Sequence, residues 1–139
     1  IQLKTDRCIY IDDYAHHPAE IDACIKSIRH LYPSKKICGV FQPHLYSRTK
    51  DFAKEFAQSL SQLDELMLLD IYPARELPIE GITSNWLLEM VDLKEKEVYS
   101  LDEVLPAIKT KDFDVLLTVG AGNIDTIVKP IKNWLNSEA

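Results

Sequence analysis

The sequence holds 139 residues at 15.9 kDa, 46% of them hydrophobic, with 16 basic against 22 acidic side chains and a net charge of −6. A chain this long buries roughly two thirds of the surface its unfolded form exposes, which supports a core without metal or disulfide staples and excludes wholesale disorder. No apolar run reaches the roughly 18–20 residues that span a bilayer and no signal-like segment opens the chain, so a cytoplasmic protein is expected.

Residues 1–7, IQLKTDR, have no clear periodicity and read as a boundary segment. With Ile rather than Met at position 1, the chain is expected to be a piece of something longer, and 1–139 is taken as one domain. Cys8 to Ile11 is short, bounded and apolar, the pattern of a buried strand. A helical face follows in Ile21, Cys24, Ile25, Ile28 and Leu31, with Pro18 in its first turn and an end before Pro33. Ile37 to Phe41 is a second strand. The stripe Phe52, Ala53, Phe56, Ala57, Leu60 and Leu63 predicts one long helix starting near Ser47 as its cap.

Leu66 to Leu69 is a third strand, and YPARELPIEG after it, with two prolines and a glycine, is a loop. A short helix near Trp86 to Val91 precedes a weak strand at Glu97 to Tyr99. Ser100 and Glu103 form an S-x-x-E capping pattern, opening a helix that Pro106 keeps short or bent. Val115 to Val119 is the last strand. After the turn Gly120-Ala121-Gly122 comes a helix with Asn123 as cap and Ile124, Ile127, Val128, Ile131 and Leu135 facing inward. Strands and helices alternating in this way imply an α/β fold: a doubly wound, mostly parallel sheet with helices on both faces and ligand sites at the carboxyl ends of the strands.

Polar groups gather after those strands. Asp12-Asp13-Tyr14-Ala15-His16-His17-Pro18 follows the first, where a carboxylate can accept from a ribose or join a metal shell, a tyrosine can stack on a base, and imidazoles suit a polar or anionic ligand. The same histidine pair is also what a capped, solvated turn looks like. After the second strand, Phe41-Gln42-Pro43-His44-Leu45-Tyr46-Ser47-Arg48-Thr49 puts His44 in the turn and Arg48 in a first helical turn, where a guanidinium can grip a carboxylate or phosphate. Residues 1–60 carry nine Lys/Arg against seven Asp/Glu, a balance of +2, and residues 61–139 carry seven against fifteen, so an anion prefers the first half. No basic stripe tracks a nucleic-acid backbone.

Gly120-Ala121-Gly122 would let a backbone approach a ligand, yet Asp125 replaces the third glycine of a dinucleotide fingerprint, and no P-loop occurs. The three cysteines, Cys8, Cys24 and Cys38, form no C-x-x-C and read as thiols of a reducing compartment. Adjacent His16 and His17 and the lack of H-x-x-x-H argue against a zinc cage, so no metal ligand is assigned. His30 sits where it favours a helix C-terminus.

DDYAHHPAEI, FQPHLYSRT, YPARELPI and GAGNI, in this order, resemble the C-terminal domain of the Mur ligase family over essentially the whole chain from about Cys8. FQPH-YSRT resembles the branch that adds L-alanine to UDP-N-acetylmuramate, while the murein-recycling tripeptide ligase is similar at the first motif and lacks FQPH. The resemblance implies a Rossmann-like closing domain of a three-domain cytoplasmic enzyme of peptidoglycan synthesis, whose UDP-sugar domain and central P-loop domain lie elsewhere. It also implies ATP and Mg²⁺, the latter held mainly by the central domain, an acyl phosphate, and attack by the amine of L-alanine. By the same resemblance Asp13 would hold the ATP ribose and Tyr14 would lie by the adenine. His16, His44 and Arg48 would be the catalytic and substrate-facing groups, with His17 and the Gly120-Ala121-Gly122 turn beside the substrate. Many relatives have Arg where this chain has Leu45, which reduces a two-arginine clamp to Arg48 unless Arg75 or another domain compensates. The isolated domain is expected to be inactive and to bind ATP weakly.

The alternative from another class is a receiver-like phosphoacceptor with Asp12 and Asp13 as a Mg²⁺ site, Asp70 as acceptor and Thr118 as switch hydroxyl. It gives His16, His44 and Arg48 no role, and Lys129 lies a helical stretch beyond the strand that should supply the phosphate-contacting lysine.

Overall fold

The computed structural model describes residues 3–5 and 8–138. In chain order the elements are β1 (Leu3–Lys4), β2 (Ile9–Asp13), α1 (Pro18–Leu31), β3 (Ile37–Phe41), α2 (Tyr46–Asp51), α3 (Ala53–Leu60) and β4 (Glu65–Leu69). After these come α4 (Ser84–Glu89), β5 (Glu95–Tyr99), α5 (Leu101–Ile108), β6 (Val115–Val119), a 3₁₀ turn (Asn123–Ile127) and α6 (Val128–Glu138). The six strands lie in the order β1-β2-β6-β3-β4-β5, with β1 antiparallel to β2 and the other pairs parallel.

The apolar runs form strands because both faces of the sheet are covered. On one face Ile21, Ile25 and Ile28 of α1, Phe56 and Leu60 of α3 and Leu87 of α4 pack on Ile37, Phe41, Leu66, Leu68, Val115 and Leu117. On the other, Val104 and Ile108 of α5 and Ile131 and Leu135 of α6 pack on Tyr10, Cys38, Val40, Met67 and Leu116. Strands buried on both sides read as continuous apolar runs, and β3, β4 and β6 are buried at every position. The doubly wound, mostly parallel arrangement expected from the alternation is the one observed.

Several boundaries differ from the expectation. Part of the boundary segment is strand, Leu3 pairing with Tyr10 and Lys4 with Ile9; two residues are too few to show a period. Ile1, Gln2, Asp6 and Arg7 lie outside the described residues. β2 runs on to Asp13 instead of stopping at Ile11, because its ladder with β6 continues through Asp12 against Thr118 and Asp13 against Val119. The long helix after β3 is two helices broken at Phe52 (φ −118°, ψ 23°). Its apolar stripe hides the break because Phe52 N–H still donates to the Arg48 carbonyl and Phe56 N–H to that of Phe52. Ser47 is not the cap. The cap position is Leu45, at φ +73°. Asn123 does not cap the last segment with its side chain either, since its amide oxygen accepts from Gln42 Nε2. Ser100 and Glu103 do form the capping box, Glu103 accepting from the Ser100 N–H at 2.8 Å.

Candidate functional site at the strand tips

The parallel strands end together, so the residues after β2, β3, β4 and β6 share one edge of the sheet. At the β2 tip, Asp13 Oδ1 accepts the Ala15 N–H at 2.9 Å, and its own carbonyl accepts from Gly120 N–H at 3.1 Å. Burial, and then a hydrogen bond with Asp13, pushes the Cys24 thiol up to about 12, so it stays a neutral thiol behind that carboxylate. Tyr14 is 70% exposed, a large aromatic surface in water, and its ring meets that of His16 edge-on at 5.5 Å.

The two histidines part company here. His17 caps α1, its Nδ1 facing Ala19 N–H, and its ring lies 5.1 Å from that of Phe52. His16 faces the other way, with Nδ1 3.2 Å from the Tyr14 carbonyl and ring centre 6.0 Å from His44. Glu20 anchors the pair by accepting the backbone N–H groups of His16 (3.3 Å) and His17 (3.1 Å), bonds that hold its carboxyl below the usual range.

At the β3 tip the chain continues alongside the β4 tip. Leu45 N–H donates to the Tyr72 carbonyl and Tyr72 N–H to that of Pro43, both at 2.8 Å, so His44 and Tyr72 are bridged in parallel with ring centres 5.5 Å apart. His44 Nδ1 is buried and has no hydrogen-bond partner among the described residues. Burial, then Arg48, then His16 depress its pKa, with Glu76 opposing them. Glu76, from the proline-rich loop, takes both the N–H and the hydroxyl of Ser47, supplying the start of α2 with the acceptor that Leu45 lacks. Those bonds lower the Glu76 pKa, and the Arg48 charge adds to them. The Arg48 guanidinium itself makes no ion pair or hydrogen bond with a described residue, although the side chain is half-buried.

Gln42, inside the second motif, is buried and joins the β3 and β6 tips. Its N–H donates to the Val119 carbonyl, and its amide oxygen accepts from Ile124 N–H at 2.9 Å. A Cβ on Gly122 would collide with Gln42 Oε1 and sit 2.7 Å from Tyr72 Cγ, and one on Gly120 (φ +146°) 2.9 Å from the Gln42 carbonyl. The close approach these glycines permit is thus to the protein's own chain, the Gln42 carbonyl at Gly120 and the Gln42 and Tyr72 side chains at Gly122. Gln42, Tyr72, Glu20 and Glu76 complete the tips beyond the residues singled out by type. A glutamine between a buried strand and a proline is a signal for the first, and a glutamate at the third position of the helix that Pro18 opens is one for Glu20; Tyr72 and Glu76 carry none.

The receiver-like grouping does not assemble. Thr118 donates to Asp12 Oδ1 at 2.7 Å, and Asp70 follows β4, a strand separated from β2 by β6 and β3, about 14 Å across the sheet. No three His, Cys, Asp or Glu side chains among the described residues are grouped to hold a metal ion. Arg75 is exposed on the loop, one residue past Ala74 at φ +52°. A cleft of about 410 Å³ does exist at the opposite end of the sheet, but Glu65, Lys36, Glu95 and Lys111 there pair with one another. No helix among the described residues is long and apolar enough to cross a membrane. What gathers at the tips is a carboxylate, an exposed tyrosine, two imidazoles and an unpaired guanidinium, a set suited to a nucleoside and a small anion.

The sequence is 55% identical over 99% of its length to a UDP-N-acetylmuramate–L-alanine ligase of Flavobacterium psychrophilum and 53% identical over 97% to that of Flavobacterium johnsoniae. It spans about 30% of the length of these relatives. The crystal structure of the UDP-N-acetylmuramate-alanine ligase of Thermotoga maritima superposes with a TM-score of 0.72 at 25% identity, covering 94% of this chain and 27% of that one. Residues 1–122 match the family described as Mur ligase, glutamate ligase domain, so the chain belongs to the Mur ligase family.

Proposed function

We propose that the chain is the closing, C-terminal domain of an ATP-dependent ligase that joins L-alanine to UDP-N-acetylmuramate in cytoplasmic peptidoglycan synthesis. The full enzyme activates the muramate carboxyl as an acyl phosphate, and the amine of alanine displaces the phosphate. Asp13 accepts from the ribose hydroxyls of ATP and Tyr14 lies against the adenine. Arg48, with His44, takes the alanine carboxylate. His16 faces the reacting amine, and His17 with the Gly120-Ala121-Gly122 turn frames the substrate side. Leu45 offers no second cation, so among the arginines of the described residues Arg48 holds that carboxylate. The phosphate-binding loop, the Mg²⁺ ligands and the UDP site belong to the rest of the enzyme, and this domain by itself is inactive.

The observation that carries this reading is the half-buried, unpaired Arg48 beside a depressed His44 whose ring stands 6.0 Å from His16. The similarity to alanine-adding relatives supports the choice of amino acid. In the full-length enzyme Arg48→Ala should raise the KM for alanine far more than that for ATP. A defect confined to ATP would overturn the assignment.

A further inference from the structure

The loop after β4 is anchored in the core at both ends, by buried Ile71 and Ile82. Between those anchors Pro73, Ala74, Leu77 and Pro78 are all exposed, and Leu77, at 84%, is the most exposed large hydrophobic among the described residues. The backbone around it is pinned. Glu76 N–H donates to the Pro73 carbonyl at 2.8 Å across a turn that holds Ala74 at φ +52°, and the Glu76 carboxylate takes the Ser47 N–H at 3.0 Å. On the other side Pro78 keeps the Leu77 backbone out of the helical region, and Ile82 N–H closes the end of the loop on the Ile79 carbonyl at 3.0 Å. Arg75 stands two residues before Leu77, exposed and without an ion pair or hydrogen bond to a described residue. Of the other exposed large hydrophobics, Leu31 ends α1 and Met90 follows α4, both at the edge where the strands begin, whereas Leu77 shares the tip edge with Tyr14.

We propose that residues 73–78 are the surface by which this domain docks on the preceding, nucleotide-binding part of the same enzyme, with Leu77 entering an apolar pocket there and Arg75 meeting a carboxylate at the pocket's rim. The proposal rests on the ligase reading above and adds the contact that holds the closed state. The chain spans about 30% of the length of its relatives, so most of the enzyme lies outside it and is available as the occupant. The loop shares its edge with Asp13 and Arg48, and this chain has no phosphate-binding loop of its own, so the edge meets one only when another part of the enzyme covers it. An apolar centre bordered by a guanidinium is the make-up of a protein contact. Six residues make a small one, which suits a surface that forms and parts in every turnover. Taking the Leu77 side chain out of water favours the closed state about tenfold or more.

The direct test is NMR of the full-length enzyme with ¹³C-labelled leucine methyl groups and a soluble paramagnetic agent that reports exposure. The Leu77 methyl signals, assigned by their loss in Leu77→Met, should relax several-fold more slowly with a non-hydrolysable ATP analogue and UDP-N-acetylmuramate bound than with neither. Equal accessibility in the two states, in an enzyme that binds both ligands and turns over, overturns the proposal and leaves the ligase reading standing. Protection that needs no ligand and disappears on dilution puts a second copy on the loop and overturns it too. The kinetic test uses Leu77→Ser, a change in water that leaves the folded domain intact. Its kcat/KM for ligation should fall about tenfold, and acyl phosphate trapped with hydroxylamine, without alanine, should fall by the same factor, because both steps need the closed state. Leu77→Met should keep most of the activity. Arg75→Glu should show a deficit that narrows as salt screens the repulsion. Wild-type rates in Leu77→Ser would remove the docking role. Absence of alanine-dependent phosphate release by the wild-type enzyme would remove the ligase reading and the proposal with it.

Discussion

Thr118 donates its hydroxyl hydrogen to the Asp12 carboxylate at 2.7 Å, and its oxygen lies 2.8 Å from the phenol of Tyr10. Tyr10 and Thr118 are fully buried, and burial pushes the Tyr10 pKa above its ordinary value, so this is a neutral phenol in a dry core. If Thr118 donates to Asp12, the phenol must donate to Thr118, and each bond has one consistent direction. Thr118→Val strands both neighbours and should lower stability by about 1–3 kcal/mol. Asp12→Asn keeps an accepting oxygen and should lose less. Urea unfolding midpoints decide it, and equal losses in the two variants would show that the direction of the chain is wrong.

Two glycines make a contrasting pair. Gly81 has φ +83° with nothing within 4 Å of an added Cβ, whereas Gly122 has Gln42 and Tyr72 in that space. Gly81→Ala should cost about 1 kcal/mol, a backbone penalty alone. Gly122→Ala should cost about 2–3 kcal/mol through overpacking. Denaturation of both variants in parallel checks the order, and a larger loss at Gly81 would contradict the packing.

His44 links the site to pH. Its folded pKa lies below the ordinary value, which is about 6.5 in an unfolded chain. Between those two values the unfolded state binds the additional proton, so stability is complete above about 6.5 and declines as pH drops through the folded value. His44→Gln should flatten that decline between pH 7.5 and 5.5. Identical slopes for wild type and variant would place the titration elsewhere.

Glu76 is the only side chain of the proline-rich loop bonded to Ser47. Glu76→Ala should speed amide hydrogen exchange at Ser47 and Arg48 while the β3 amides keep their protection. Unchanged exchange at the start of α2 would mean that the loop does not secure it.

Much of the fold was legible because a doubly covered sheet writes itself as apolar runs. Ile37–Phe41 and Val115–Val119 were read at their observed limits, since every residue in them is buried. Glu95 and Lys96 escape an apolar-run reading because β5 is an edge strand with only β4 beside it, and their charges are satisfied by remote partners: Glu95 by Lys36, and Lys96 by the Leu88 and Val91 carbonyls. Local rules failed where the partner was remote. Leu45 at φ +73° is a poor cap by composition, and its helix starts properly only because Glu76, some thirty residues on, reaches back. Asn123 looked like a cap, but Gln42, distant in sequence, claims its side chain. The histidine pair after β2 was visible as residue types. That one ring would cap α1 and the other turn toward His44 depended on Phe52 and Tyr72, which no spacing rule connects to them.

The position of β6 has a consequence for how the molecule is made. This last strand sits between β2 and β3, and neither of those pairs with the other. A ribosome that has released residues up to Tyr99 has therefore exposed every other strand of the sheet with its central slot vacant. The edge of β3 that faces β6 has no partner until Val115–Val119 arrives from some eighty residues downstream. Assembly is thus a late insertion with high contact order, a slow kind of step that leaves strand edges open to other chains meanwhile. A chain cut before Val115 would lose the register that sets Asp13 beside Gly120 and joins Gln42 to Val119.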